Sequence, residues 1–208
     1  MKKFTHPDFQ TRLGKLIAEL EQASHIEVVV LIKPRSGNYD DVPLGLGANL
    51  SMIMFSYLFL VDTSFDSYLV YFMTLSAFGL GMLLGIVLPM MQRLLAGKQR
   101  KQRNVEIMAR ALFQKGGLHH TSTKVGTLIY VSLLEKMVYI VADRGAQMAI
   151  PDTEWQAINS RLASIFNAKN PAEALLTELA QCRHIFHQYI PALENNSNEL
   201  PDDLSIDL

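Results

Sequence analysis

The sequence predicts an α/β fold: a small central β-sheet flanked by helices, interrupted by a two-helix hairpin that crosses a membrane. Three observations predict it. A short β-branched run, Ile26–Ile32, is apolar on both faces. Two more strand-like runs, Thr127–Leu134 and Met137–Ala142, lie far downstream. Between the first run and the other two, no charged residue occurs from Val42 to Val61 or from Ser67 to Gln92.

Charge and cysteine usage remove several classes. The 208 residues carry 19 Lys and Arg against 20 Asp and Glu, a net charge of −1. That balance excludes a generally basic nucleic-acid binder. One cysteine, Cys182, excludes an internal disulfide framework and a cysteine-rich metal cluster. Hydrophobic residues are 49% and charged residues 19%, which excludes a disordered chain.

The first helix is expected from Pro7, because proline fits a first turn whose N–H groups have no partner in any case. Phe9, Leu13, Leu16, Ile17 and Leu20 recur at helical spacing on one face, and Ser24-His25 ends the helix. The run Ile26-Glu27-Val28-Val29-Val30-Leu31-Ile32 then reads as an interior strand that needs a neighbour on each edge. Residues 1–41 offer none, so the neighbours must come from beyond the apolar block.

A bilayer core of about 30 Å needs about 20 helical residues. The two charge-free runs hold 20 and 26 residues, enough for one crossing each. They cannot be one span, because Asp62 and Asp66 would sit mid-membrane at about 2.5–3.5 kcal/mol apiece. The spans are therefore about 42–61 and 67–92. The competing reading, two buried helices of a soluble core, would need 46 residues without a charge. Lys33, Arg35, Arg93, Lys98, Arg100, Lys101 and Arg103 flank the block, and the loop Asp62–Asp66 has no base. The positive-inside rule then puts both termini in the cytoplasm. Lys2-Lys3 is followed by Thr5-His6-Pro7-Asp8 rather than by the apolar core of a secretory signal. In the second span Ala77, Gly81 and Gly85 recur every four residues, a spacing that lets helices approach closely. Their partner is either the first span, through Gly45, Gly47, Ala48 and Ser51, or the same stripe in a homo-oligomer. Neither span has an ionisable residue at its centre, which favours anchoring over transport.

Past the block, Val105, Met108, Ala109, Leu112 and Phe113 mark a helix that Gly116-Gly117 ends. Glu135-Lys136 is expected as a tight connection between the two downstream strands, without the glycine or asparagine that favoured turns carry. Asp152 is expected to cap a helix with Trp155, Ile158, Leu162 and Ile165 on one face. Asn170-Pro171-Ala172-Glu173 combines a cap, a first-turn proline and a glutamate three residues after the cap. It opens a last helix bearing Leu175, Leu176, Leu179, Cys182, Ile185, Phe186 and Tyr189. Glu194–Leu208 holds five acids and no base and reads as a disordered acidic tail. Residues 1–41 and 98–193 thus form one split cytoplasmic domain, 42–97 the transmembrane hairpin, and 194–208 the tail.

The ordered series of these segments resembles the TPM-domain family, in its bacterial form with a membrane hairpin. The residues that carry the resemblance are Ile26-Glu27-Val28-Val29-Val30 after a long helix and Tyr39 before the insertion. After the insertion come Ala111-Leu112-Phe113, Gly117-Leu118-His119 and Thr121. The most specific stretch is Gly126-Thr127-Leu128-Ile129-Tyr130-Val131-Ser132-Leu133-Leu134-Glu135 with Val138-Tyr139-Ile140-Val141-Ala142-Asp143-Arg144-Gly145, and Trp155 and Ile158 follow. The resemblance implies a central sheet flanked by helices. It also implies the range of roles in the family: acid phosphatases, calcium binders that use loop aspartates, and auxiliary proteins of membrane complexes. This sequence has Lys124-Val125 where hydrolase-like members carry an acid, and a lysine repels a divalent cation. Its turn after the second hairpin strand is Asp143-Arg144-Gly145. Neither calcium nor any other metal or cofactor is carried over.

The candidate binding residues are Asp143, Arg144, Gly145 and His119. Asp143 and Arg144 end a strand, a common place for ligands in α/β proteins, and a carboxylate beside a guanidinium suits a partner or a phosphate. The plainer reading is a turn aspartate with a solvated arginine. Asp40 and Asp41 are either partners of Asp143 in an acidic pocket or residues at headgroup level. His119 and His120 are adjacent and point apart. His184 and His187 share a helix face that Cys182 leaves, and no nearby acid completes a zinc set. Ser132 lacks a Gly-x-Ser-x-Gly elbow and reads as a sheet residue. The basic run Lys98–Arg103 is explained by topology and by anionic headgroups.

The function expected from these features is a non-catalytic binding or assembly module for membrane-associated partners, held at the bacterial inner membrane. The alternative is a phosphatase-like hydrolase with a divalent metal at loop carboxylates. The expected partners are the lipid bilayer and other membrane proteins, with no nucleic acid.

Overall fold

The strand before the apolar block pairs with a strand 99 residues further on. In a computed structural model of the chain, which describes residues 3–116 and 125–192, β1 (Glu27–Lys33) runs parallel to β2 (Gly126–Ser132). The register sets Glu27 opposite Gly126 and Lys33 opposite Ser132. β2 in turn runs antiparallel to β3 (Met137–Ala142). Among the described residues the sheet has three strands in the order β1-β2-β3.

β2, not β1, is therefore the central strand, and β1 is an edge. The doubly apolar pattern of β1 has another cause: helices cover both of its faces. Val28, Val30 and Ile32 join Ile129 and Val131 under α1 (Pro7–Ala23), α7 (Asp152–Ser164) and α8 (Pro171–Tyr189). Leu31 joins Leu128 and Tyr130 against Val105, Ala109 and Phe113 of α5 (Lys98–Lys115). Each such side chain contributes about 1.5–3 kcal/mol when buried, so both faces of an edge strand can be selected as apolar. At the edge itself, the Glu21 carboxylate accepts from the Val28 N–H at 3.1 Å.

The connection between β2 and β3 is four residues, Leu133–Lys136, rather than the two expected. Leu133 and Leu134 donate their N–H groups to the carbonyls of Lys33 and Pro34, at 3.0 and 2.9 Å. They extend the pairing with β1 instead of closing the hairpin. Lys136 takes the left-handed conformation (φ 53°) to complete the turn.

Three helix starts differ from expectation. Asp143-Arg144-Gly145 is not an open turn: α6 (Arg144–Ala149) begins there, with Asp143 as its cap. Pro151 is the capping residue of α7, which makes Asp152 the first helical residue. Glu173 does not fold back onto the Asn170 cap of α8. Its carboxylate accepts two hydrogen bonds from Arg12 of α1, at 2.6 and 2.8 Å. A bidentate guanidinium pair offers it more than one backbone N–H. His25 N–H donates to Ile190 O at 3.1 Å, and His187 Nδ1 lies 2.7 Å from Ala23 O. Cys182 is buried in α8, as its apolar neighbours imply.

The chain divides into two compact units, residues 1–36 with 102–208 and residues 37–101. The second unit contains α2 (Asp41–Leu60), α3 (Ser67–Val87) and α4 (Pro89–Leu95). α2 and α3 are each long and apolar enough to cross a membrane. Only 22% and 17% of their most apolar 18-residue windows are buried. α3 stops at Val87 rather than at residue 92, because Pro89 has no N–H to give the Gly85 carbonyl. The Gln92 side-chain amide donates to that carbonyl instead, at 3.0 Å.

Ala77, Gly81 and Gly85 are the buried residues of α3, and Gly81 and Gly85 face α2. A Cβ on Gly81 would lie 2.7 Å from Leu46 O and 2.8 Å from Gly47 Cα. Glycine here permits backbone-to-backbone packing within the hairpin. A homo-oligomer seam through the same stripe would require the hairpin to open. At its base, Arg100 makes a bidentate pair with Asp41 (2.6 and 2.8 Å), donates to Asn38 O, and lies over the Tyr39 ring at 5.2 Å.

Candidate functional site

The end of β3 turns directly into α6, and the turn positions Asp143, Arg144 and Gly145. Asp143 N–H donates to Gly126 O at 2.8 Å, which pins the turn to β2. The Asp143 carboxylate accepts from Arg144 N–H at 2.7 Å through Oδ1. Among the described residues its buried Oδ2 has no hydrogen-bond partner. One oxygen is thus committed to the helix start. Arg144 is exposed, Gly145 half-buried and Ala146 fully buried. Ala146 seats the helix on the core, and Arg144 is left to face solvent. Met148, one turn after Arg144, is 75% exposed.

Beside this turn lies a cleft of about 230 Å³ lined by Ile140, Ala142, Gln147, Asp152, Trp155 and Asn159. Gln147 Nε2 donates to Ala142 O at 2.7 Å across its rim. Trp155 Nε1 is buried and has no partner among the described residues. The acid on the cleft is Asp152, and among the described residues no group of three or more His, Cys, Asp or Glu could hold a metal ion.

The other sequence candidates divide between the two units. Asp41 belongs to the second unit and is paired with Arg100 there. Asp40, also in that unit, is exposed. His119, His120 and Lys124 lie outside the described residues, as does the acidic tail. His184 and His187 are exposed on α8.

Sequence reasoning missed a buried polar network at the far end of the strands, where β1 and β2 both finish. Ser36, Tyr130, Ser132 and Glu135 are all within 8% of full burial. Ser36 N–H donates to Glu135 Oε1 at 2.9 Å, and Ser132 Oγ donates to Glu135 Oε2. Ser36 Oγ donates to Ser132 Oγ at 2.7 Å, so the Tyr130 hydroxyl must be the donor in its 2.8 Å contact with Ser36. Protons therefore point one way, from Tyr130 through Ser36 and Ser132 to the carboxylate. Burial raises the Tyr130 pKa above its ordinary value. Hydrogen bonds to Ser36 and Ser132 oppose the rise, and the Glu135 charge adds to it. Both Glu135 oxygens are engaged and Ser132 is fully buried, so the network latches a loop rather than meeting a substrate. Its one sequence signal is a glutamate beside two leucines at a strand end.

Residues 89–184 match the family model of the TPM domain, a span that runs from α4 into α8 and contains the β2–β3 hairpin and the Asp143 turn. The chain carries a TPM domain. α1 and β1 precede the matched span, and β1 joins the sheet of the TPM domain through its pairing with β2. A solved structure of similar fold is the NMR structure of BA42 protein from the psychrophilic bacterium Bizionia argentinensis, at 14% identity and a TM-score of 0.59. That likeness covers 97% of this chain and 94% of BA42, and it shows the fold. No curated protein matches the chain.

Proposed function

We propose that this chain is a membrane-anchored TPM-domain protein whose domain is a binding or assembly module for other membrane proteins. In this reading α2 and α3 cross the bacterial inner membrane as a hairpin. Residues 1–41 and 98–193 form one cytoplasmic domain, with both termini inside. Phe59, Leu60 and Tyr68 are 77–78% exposed around the loop that joins the two helices. Hydrocarbon is the solvent that suits such side chains. The absence of any base from the loop Asp62–Asp66 supports the orientation.

One observation carries the binding role: α6 presents Arg144 and Met148 to solvent one turn apart, on a helix whose start Asp143 locks. Arginine and methionine are enriched at protein interfaces, and a locked helix costs little further entropy on docking. The test is capture of partners from detergent-solubilised membranes by the full chain. Proteins retained by the unaltered chain and lost with both Arg144→Ala and Met148→Ala support the reading. An unchanged set of captured proteins overturns it.

The Asp143 Oδ2, buried and unpartnered among the described residues, favours a second reading, a phosphatase-like hydrolase with a divalent metal near that carboxylate. Phosphoester turnover by the full chain with added magnesium or calcium, abolished by Asp143→Ala, would replace the binding reading with this one.

A further inference from the structure

The base of the hairpin carries charge that the hairpin itself leaves unbalanced. Residues 37–101 contain four bases, Arg93, Lys98, Arg100 and Lys101, all on α4 and the start of α5. Two are already used. Arg100 is paired with Asp41, and Lys101 Nζ donates to Arg93 O at 2.7 Å. Arg93 is half-buried and Lys98 exposed, and among the described residues neither forms an ion pair. Asp40 is the remaining exposed acid at this end, and Asp62 and Asp66 lie at the far loop. The first turn of α5 holds no acid. Its cations therefore sit where the helix dipole favours an anion.

α4 adds an apolar surface to this charge. It follows α3 after the single residue Leu88. Met90, Leu94 and Leu95 are 56%, 59% and 55% exposed, and Met90 and Leu94 are one turn apart. A short helix with uncovered apolar side chains, free cations and a place at the end of an apolar span fits the boundary between headgroups and acyl chains.

We propose that α4 and the first turn of α5 form a seat for an anionic phospholipid. Arg93 and Lys98 hold the headgroup phosphate, and Met90, Leu94 and Leu95 lie against the first carbons of the acyl chains. Charge complementarity selects the anionic lipid over a zwitterionic one, and continuity with α3 selects lipid over a free anion. The proposal rests on the membrane-hairpin reading.

The experiment reconstitutes the full chain in vesicles of equal phosphatidylglycerol and phosphatidylcholine, extracts it in mild detergent, and counts the retained lipids by native mass spectrometry. Phosphatidylglycerol should be retained about fivefold more strongly per free cation, the equivalent of ~1 kcal/mol each. Arg93→Gln with Lys98→Gln should bring retention close to parity. The charge-matched control Lys15→Gln with Lys169→Gln, at exposed positions of the other unit, should keep the preference. Excess inorganic phosphate should leave the lipid bound. Equal retention by the unaltered chain, a preference that survives Arg93→Gln with Lys98→Gln, or displacement by phosphate overturns the lipid seat. Carbonate washing separates the two levels. A chain released from the vesicles refutes the membrane hairpin itself, and one that stays in the pellet without lipid preference refutes only the seat.

Discussion

The backbone N–H of Ser36 and the carboxylate of Glu135 meet at 2.9 Å, although 99 residues separate them in the chain. The contact joins the loop that leaves β1 to the turn between β2 and β3. Three hydroxyls, those of Ser36, Ser132 and Tyr130, line up behind it. Each polar group in the network has a partner, and hydrogen bonds in such a chain strengthen one another in a low-dielectric interior.

Glu135→Ala should therefore be among the most destabilising single changes in the chain. It strands the Ser36 N–H and the Ser132 hydroxyl, at about 1–3 kcal/mol for each buried group left unpaired. Glu135→Gln keeps one acceptor and should cost less. Denaturant unfolding of the purified full chain measures both, and equal stability of Glu135→Ala and the unaltered protein would remove the latch from this account.

Gly81→Ala should destabilise the hairpin and Gly79→Ala should not. A Cβ at Gly81 meets Leu46 O at 2.7 Å, whereas one at Gly79 meets nothing within 4 Å. Overpacking of this kind costs about 1–3 kcal/mol, because the two helix backbones must part. Heating the protein in detergent micelles and scoring the fraction that still elutes as a single species should show a lower midpoint for Gly81→Ala alone.

The Arg12–Glu173 pair should leave a mark on the acid limb of the stability curve. Hydrogen bonding to Arg12 holds the Glu173 pKa below its ordinary value, with the Arg12 charge adding to the effect against desolvation. A carboxylate depressed in the folded state stabilises above its unfolded pKa, and that stability is lost as pH falls through the folded value. Both groups are exposed, so the effect should be small and erased by high salt. Comparing Glu173→Gln with the unaltered chain between pH 6 and pH 3, at low and high salt, isolates it.

Cys182 should resist thiol reagents in the native protein. Burial pushes its pKa to about 11, and the charge of Glu178 adds to the rise against Arg161. Near pH 7 only about one thiol in ten thousand would be ionised, and the thiolate is the reactive form. The raised pKa contributes stability at neutral pH that is lost as pH climbs from the unfolded value, 9.0, towards 11. Maleimide labelling with and without denaturant reads this directly, and rapid labelling of the folded chain would contradict the packing of α8.

The sequence by itself determined most of the elements, though not α4 or α6. Helical spacing of Phe9, Leu13, Ile17 and Leu20 marked α1, charge-free runs marked α2 and α3, and a doubly apolar run marked β1 and required a partner from beyond the apolar block. These signals are local, because propensity and periodicity act within a turn or a strand. Only the tertiary structure decided which strand is central, why the hairpin turn has four residues, that Glu173 serves Arg12 rather than its own helix cap, and that Gly81 packs on Gly47. It also brought Ser36 to Glu135. For Ser36 and Glu135 the distant partner wins because helices cover both faces of the sheet and make an unpaired polar group there costly; Glu173 is drawn to Arg12 by a bidentate ion pair, and Gly81 to Gly47 by close backbone packing.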